Sequence, residues 1–100
     1  MFLFNLTYKK PLEEIERLLP AHIAFLDEFY DKGKFLCSGR KEPRTGGVIL
    51  CNCDSLEEAE EIRHRDPFFY EGAADYEIIR FQPTKMSPGF QAMLEETQRQ

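Results

Sequence analysis

The chain has 100 residues and a mass of 11.8 kDa, which suits one compact domain and is too small for two. Hydrophobic residues make up 42% of the chain and charged residues 31%, and these ordinary proportions disfavour a disordered, collagen-like or membrane-spanning protein. The net charge of −5 disfavours nucleic acid as a partner, because a phosphate backbone repels an acidic protein.

The chain start predicts a strand. Phe2, Phe4, Leu6 and Tyr8 alternate with smaller or polar residues, a period of two that places them on one face. The same segment lacks the basic start, the apolar length and the cleavage site of a signal peptide. We therefore expect a cytoplasmic protein with no membrane partner.

A helix is predicted from Pro11 to about Lys32. Proline suits the first helical turn, and Gly33 supplies a stop signal. Pro20 lies inside the pattern and removes the hydrogen bond to Glu16, which predicts a kink or two abutting segments. The apolar stripe at helical spacing contains Ile15, Leu18, Leu19, His22, Phe25, Leu26 and Phe29.

Two further strands, 35–40 and 48–53, are predicted to form a hairpin around a basic loop that ends in Gly46 and Gly47. Cys37, Cys51 and Cys53 lie on these strands without the spacing of a zinc motif. We expect buried, inert thiols there, and no metal or cofactor.

The second helix begins at a capping box in which Ser55 and Glu58 exchange hydrogen bonds with each other's backbone N–H groups. Its buried stripe is Leu56, Ala59 and Ile62, and Pro67 predicts its end near residue 65. A connector over 68–75 and a fourth strand over 76–82 follow. Ser87 and Pro88 are expected to open a short terminal helix with Phe90, Met93 and Leu94 on its apolar side.

The predicted order is β-α-β-β-α-β, a ferredoxin-like α+β fold with both helices on one face of a four-stranded antiparallel sheet. The other sheet face is left bare and still carries apolar residues such as Leu3 and Ile79. A large exposed apolar face predicts a homodimer, with a higher homo-oligomer left open. We divide the chain into a domain over residues 1–84 and a helical extension over residues 85–100.

Two polar residues interrupt the predicted buried stripes. His22 lies between Leu18 and Phe25 on the first helix, and Asp66 continues the stripe of the second helix. A carboxylate that faces a core is costly unless it is paired or hydrogen-bonded, and both helices cover the same sheet face. His22 and Asp66 are therefore candidates to meet; the alternative is a satisfied core histidine and an aspartate that caps a helix.

The loop between the second and third strands carries Arg40, Lys41 and Arg44, which could hold a small anion at a pocket mouth or form a solvated loop. His64 lies about 200° around its helix from Ile62 and is expected to face solvent. The sequence has no phosphate-binding glycine motif, serine-hydrolase elbow or zinc-protease motif. Any chemistry is expected to be acid–base.

Five separated segments resemble one family. They are 22–26 (HIAFL), 35–39 (FLCSG), 43–47 (PRTGG), 66–68 (DPF) and 76–81 (YEIIRF), and in this order they are similar to the YciI-like (YCII-related) proteins. The resemblance covers nearly the whole chain.

This resemblance implies a dimeric α+β barrel, in which two sheets pack face to face, with an active site built on His22 and Asp66. We also take Ser38, Arg40 and Arg44 as substrate-binding candidates, the two arginines because they lie in the basic loop between the second and third strands. Some relatives act on small hydroxylated aromatics or lactones by dehydrochlorination or isomerisation.

Three functions remain open at this stage. The first is an enzyme in which Asp66 orients His22 for proton transfer on a small molecule. The second is a non-catalytic dimer that binds a small molecule, and the third is a structural dimer that binds nothing. A cleft that opens onto His22 distinguishes the first two functions from the third.

Overall fold

The computed structural model describes residues 1–98 and has the predicted order of strands and helices. The four strands form one antiparallel sheet with the order β2-β3-β1-β4. This arrangement confirms the ferredoxin-like α+β fold. The elements are β1 (Phe2–Tyr8), α1 (Leu12–Asp31), β2 (Phe35–Arg40), β3 (Gly46–Cys51), α2 (Leu56–His64), α3 (Pro67–Tyr70), β4 (Ala74–Arg80) and α4 (Pro88–Gln98).

The core lies on the face of the sheet that the helices cover. Phe2, Phe4 and Leu6 of β1 are buried, as the alternation of that strand predicts. Phe4 and Phe35 meet edge to face at 6.2 Å between ring centroids, and Phe25 of α1 lies 5.5 Å from Phe35. Aromatic packing thus joins α1 to the sheet.

The opposite sheet face is open in the single chain. Leu3 pairs with Leu50 on one side and with Ile79 on the other, so apolar side chains from three strands are adjacent. Val48 is 36% exposed and Ile79 is 40% exposed. The predicted bare face with apolar residues is confirmed.

The first helix corrects one prediction. The expectation of two abutting segments is wrong, because α1 is one helix of 20 residues with Pro20 inside it. Pro20 is exposed, so water can satisfy the backbone carbonyl that loses its partner. The stripe that contains Ile15 and Phe25 packs on the sheet and holds the helix together across the missing bond.

The third strand starts earlier than predicted, at Gly46, and ends at Cys51. Gly46 pairs with Thr7, and a Cβ on Gly46 would lie 1.8 Å from the backbone oxygen of Leu6. The strand therefore needs a residue without a side chain at this position, and the glycines extend the sheet rather than the loop. The fourth strand also begins earlier, at Ala74, which pairs with Tyr8.

The region after α2 differs from the predicted connector, because residues Pro67–Tyr70 form the short helix α3. Pro67 lies in its first turn, and the Asp66 carboxylate accepts a hydrogen bond from the Phe68 N–H at 2.9 Å. Four residues are too few to show helical periodicity in a sequence.

The start of α2 confirms half of the predicted capping box. Ser55 Oγ accepts from the Glu58 N–H at 3.1 Å, whereas the Glu58 carboxylate accepts from the N–H of Asp54 instead of Ser55. Glu58 also forms an ion pair with Lys34 at 2.9 Å, which draws its side chain away from the predicted position. Leu56 is 43% exposed, so the buried stripe of α2 consists of Ala59 and Ile62 alone.

The predicted terminal helix is present as α4, and its predicted apolar residues Phe90, Met93 and Leu94 are partly buried. The extension over residues 85–100 remains a predicted division, and its last two residues lie outside the described part of the chain. Within residues 1–98, no helix combines the length and the apolar character needed to cross a bilayer.

Candidate active site

The two interrupting polar residues meet beneath α1. Nδ1 of His22 lies 2.8 Å from Oδ1 of Asp66, so the imidazole N–H donates a hydrogen bond to the carboxylate. His22 is 9% exposed and Asp66 is completely buried. The predicted proximity of these side chains is confirmed by this geometry, while their chemical roles remain predictions.

Local structure explains how each side chain reaches this place. Helical spacing directs His22 inward with Leu18 and Phe25, since all three lie on the buried stripe of α1. Asp66 is the N-cap of α3, and the turn between α2 and α3 aims its carboxylate under the sheet-facing side of α1. The core and capping functions that sequence offered as an alternative thus occur together with the contact between His22 and Asp66.

The imidazole ring is held by a stacked phenylalanine and by the hydrogen bond at one edge. Its ring stacks on Phe68, with 4.0 Å between centroids and 13° between planes, and Phe25 lies 5.9 Å away. Among the described residues, no group forms a hydrogen bond with the second ring nitrogen, Nε2. One nitrogen is therefore fixed by a carboxylate while the other is left for a ligand or water.

A cavity of about 240 Å³ opens onto His22, between α1 and the β1–β3–β2 part of the sheet. Its volume lies just below the usual range for sites of drug-sized ligands, roughly 300–1,000 Å³, so it suits a smaller ligand. Apolar walls surround the imidazole, and they come from Leu6, Leu19, Ile23, Leu26, Ile49 and Phe68.

The predicted substrate-binding residues lie on the same cavity. Ser38, Arg40 and Arg44 contribute to its wall with His22, whereas Asp66 is behind the imidazole and does not reach the wall. The hydroxyls of Ser38 and Tyr30 are 2.7 Å apart and hydrogen-bonded. The structure therefore brings all the candidate residues into one site.

The two cationic side chains differ in their surroundings. Arg44 donates to Glu16 of α1 at 3.1 Å, and this carboxylate together with the Tyr8 hydroxyl raises the pKa of Arg44. Arg40 is exposed and has no ion-pair partner in the described part of the chain. A free guanidinium beside the cavity gives it a positive edge, despite the acidic net charge of the chain.

Four residues that were considered for chemistry lie elsewhere, namely one histidine and three cysteines. His64 is exposed, as predicted, and its Nδ1 lies 2.7 Å from the backbone oxygen of Glu60. Cys37 is exposed, which corrects the expectation of three buried thiols, whereas Cys51 and Cys53 are buried. Contact with Cys53 and burial raise the pKa of Cys51, so its thiol stays protonated.

No cluster of three or more potential metal ligands occurs within residues 1–98. The site that the structure does assemble contains one imidazole, one carboxylate and hydroxyl groups. Such a set can move protons and bind polar ligands.

Sequence reasoning missed Tyr76, whose hydroxyl donates a hydrogen bond to Oδ2 of Asp66. Burial raises the pKa of Tyr76, and the negative charge of Asp66 raises it further. The one available signal was the position of Tyr76 on the inward face of β4, where a buried phenol needs a polar partner.

Comparisons with known proteins agree with this fold. The sequence model of the YCII-related domain matches residues 1–82. The uncharacterized protein YjpA of Bacillus subtilis (strain 168) is 37% identical over 57 residues, which cover 57% of this chain and 67% of YjpA.

A solved structure also matches. It is the 5-chloro-2-hydroxyhydroquinone dehydrochlorinase TftG from Burkholderia phenoliruptrix AC1100, in complex with 2,5-dihydroxybenzoquinone. The TM-score is 0.68 at 20% sequence identity, over 82% of this chain and 94% of the TftG chain. At this identity the likeness establishes a shared fold.

Proposed function

We propose, since the chain belongs to the YCII-related domain family, that it is a small-molecule enzyme in which His22 and Asp66 transfer a proton on a ligand in the cavity. One observation carries this proposal. The imidazole of His22 forms part of the cavity wall, with Nδ1 held by a completely buried carboxylate and Nε2 unpartnered among the described residues. That is the arrangement of a general base with an orienting group.

Each group has a distinct part in the proposed reaction. Asp66 accepts the Nδ1–H hydrogen bond and leaves Nε2 with a lone pair that takes a proton from the ligand. The resulting imidazolium is stabilised by the carboxylate 2.8 Å away. Return of the proton to a different ligand atom completes an isomerisation, whereas departure of a proton and a chloride ion completes a dehydrochlorination.

The cavity favours a small, single-ring ligand with a polar edge. Its volume of about 240 Å³ and its apolar walls suit a ring, while Arg40, Arg44 and Ser38 suit anionic or hydroxyl oxygens. A hydroxylated aromatic or a lactone-like compound has these features. TftG is named for an activity on a chlorinated hydroxyhydroquinone, and that substrate belongs to this class of compounds.

The second part of the proposal is a homodimer that forms through the bare sheet face. Val48 and Ile79 are exposed there beside Leu3 and Leu50, which are partly buried. A second copy packed face to face would remove this apolar surface from water and give a dimeric α+β barrel.

Turnover and binding assays with the compounds associated with TftG test the enzyme proposal. We expect the protein to release chloride from 5-chloro-2-hydroxyhydroquinone and to bind 2,5-dihydroxybenzoquinone in calorimetry. His22→Gln should lower kcat by about 10²-fold or more, because it removes the general base. His64→Gln is the matched control, since His64 is exposed and is not part of the cavity wall, and it should leave kcat unchanged.

The alternative of a non-catalytic binding dimer has its own outcome in this experiment. Binding of 2,5-dihydroxybenzoquinone without turnover of any chlorinated or lactone-like analogue would favour it. Equal turnover by the parent and by His22→Gln would contradict the proposed role of His22.

A further inference from the structure

Tyr76 is a polar side chain in contact with the buried pair that the proposed reaction does not yet use. It lies on β4 opposite Leu6 and faces the helices. Its ring packs edge to face against Phe4 at 5.7 Å and against Phe69 at 5.8 Å between centroids. Two aromatic neighbours therefore hold the phenol in place with its hydroxyl against Asp66.

The three hydrogen bonds to Asp66 divide unequally between its oxygens. Oδ1 accepts from His22 Nδ1–H at 2.8 Å and from the Phe68 N–H at 2.9 Å, while Tyr76 is the one donor to Oδ2 among the described residues. Asp66 is completely buried, so water does not contact Oδ2 while the phenol is in place. Without Tyr76, one oxygen of a buried carboxylate would be left unsatisfied.

The donor on Oδ2 also affects the hydrogen bond on Oδ1. A carboxylate without its third donor can rotate to satisfy Oδ2 at the expense of Oδ1, which weakens the hold of Oδ1 on the imidazole N–H. Burial and the charge of Asp66 both raise the pKa of the Tyr76 hydroxyl, so it stays a donor throughout the neutral range. The phenol thus has the charge state and the position that a fixed donor requires.

We infer that Tyr76 is a positioning residue that holds Oδ1 of Asp66 toward His22 and thereby maintains the Nδ1–H tautomer with a free Nε2. The effect on the tautomer follows from the contacts alone. The effect on catalysis rests on the proposed function.

Nitrogen-15 NMR of the His22 ring, in a uniformly labelled chain at a pH where the ring is neutral, reports the two tautomers directly. We expect the parent to have the Nδ1–H form and Tyr76→Phe to lower the ratio of Nδ1–H to Nε2–H forms by about tenfold, the size expected for one bond to a charged group. Tyr70→Phe is the control: it removes the same hydroxyl from a 60% exposed ring that does not bond Asp66, so the ratio should stay unchanged.

A folded Tyr76→Phe chain with the parental tautomer ratio would overturn the inference, as would an equal fall in Tyr70→Phe. If Tyr76→Phe does not fold, 4-aminophenylalanine at position 76 keeps the ring and supplies a weaker donor. The weaker bond to Oδ2 should then lower the ratio of Nδ1–H to Nε2–H forms in the same direction, and an unchanged ratio would overturn the inference.

Kinetics separate this inference from the proposed function. With 5-chloro-2-hydroxyhydroquinone, Tyr76→Phe should lower kcat about tenfold and change KM less than about twofold, because the hydroxyl does not reach the cavity wall. If the parent shows no turnover, the proposed function fails. The NMR result still shows whether Tyr76 controls the tautomer of His22. An unchanged kcat beside a changed tautomer ratio would overturn the catalytic part alone.

Discussion

Replacement of Asp66 by alanine should destabilise the protein strongly, because three donors depend on one buried side chain. His22 Nδ1–H, the Phe68 N–H and the Tyr76 hydroxyl would all lose their acceptor. Each buried donor left unsatisfied costs about 1–3 kcal/mol, so even the lower value gives a loss of about 3 kcal/mol. A domain of this size has about 5–15 kcal/mol in total, and the loss would lower Tm by roughly 12 °C or more.

Asp66→Asn provides a graded comparison. The asparagine oxygen can still accept from His22 and Phe68, while its amide meets Tyr76, whose hydroxyl can rotate to accept. We expect Asp66→Asn to lower the free energy of unfolding by about 1–2 kcal/mol. Because the hydrogen bonds are kept, this loss measures the contribution of the charge.

Urea unfolding at one fixed protein concentration measures these losses, since a homodimer makes apparent stability depend on concentration. Asp75→Ala is the control: Asp75 is 71% exposed and pairs with Lys9 at 3.3 Å on the surface. Its removal should cost less than about 1 kcal/mol. A loss below about 1 kcal/mol for Asp66→Ala would refute the hydrogen-bonding account of this site.

Three further predictions concern the ligand, the assembly and the response to pH. Arg40→Ala should weaken binding of 2,5-dihydroxybenzoquinone about tenfold in calorimetry, because it removes a charge-assisted bond, and an unchanged Kd would exclude this contact. Light scattering should give twice the mass of 11.8 kDa for the parent and for Leu56→Asp but a monomer for Ile79→Asp, and a monomeric parent would contradict the barrel. In the parent, the raised pKa of Tyr76 keeps the folded phenol neutral above pH about 10, where the phenol of the unfolded chain loses its proton, so stability should fall as the pH rises. Tyr76→Phe lacks this phenol, and its stability should therefore fall less steeply with pH than that of the parent.

The parts of the fold that could be predicted are those in which a repeating pattern of apolar residues marks the buried face of a strand or helix. The alternation in residues 2–8 and the stripe that contains Phe25 and Phe29 each mark a buried side, and the structure buries those residues. Gly46 has no side chain to carry such a pattern. Its need for a bare Cα arises from the backbone of Leu6 on the neighbouring strand, which only the assembled sheet brings close.

The candidate site shows the same division. His22 and Asp66 could be selected because polar residues in apolar stripes are costly unless they meet a partner. Tyr76 could not be selected from the sequence, since a tyrosine on an alternating strand is usually a core aromatic. Its hydroxyl has a partner only because the turn before α3 places Asp66 beside it. The cavity likewise depends on how far α1 stands from the sheet, which no local pattern encodes.

The most direct test of the central claim is to measure proton transfer itself. We propose to follow exchange of the ring hydrogens of 2,5-dihydroxybenzoquinone with D₂O by proton NMR, with binding established separately by calorimetry. The account predicts faster exchange with the parent than in buffer, and a loss of about 10²-fold or more in the protein-dependent rate for His22→Gln and Asp66→Asn. Binding of the quinone with no acceleration of exchange, or equal acceleration by His22→Gln, would contradict proton transfer by the His22–Asp66 pair.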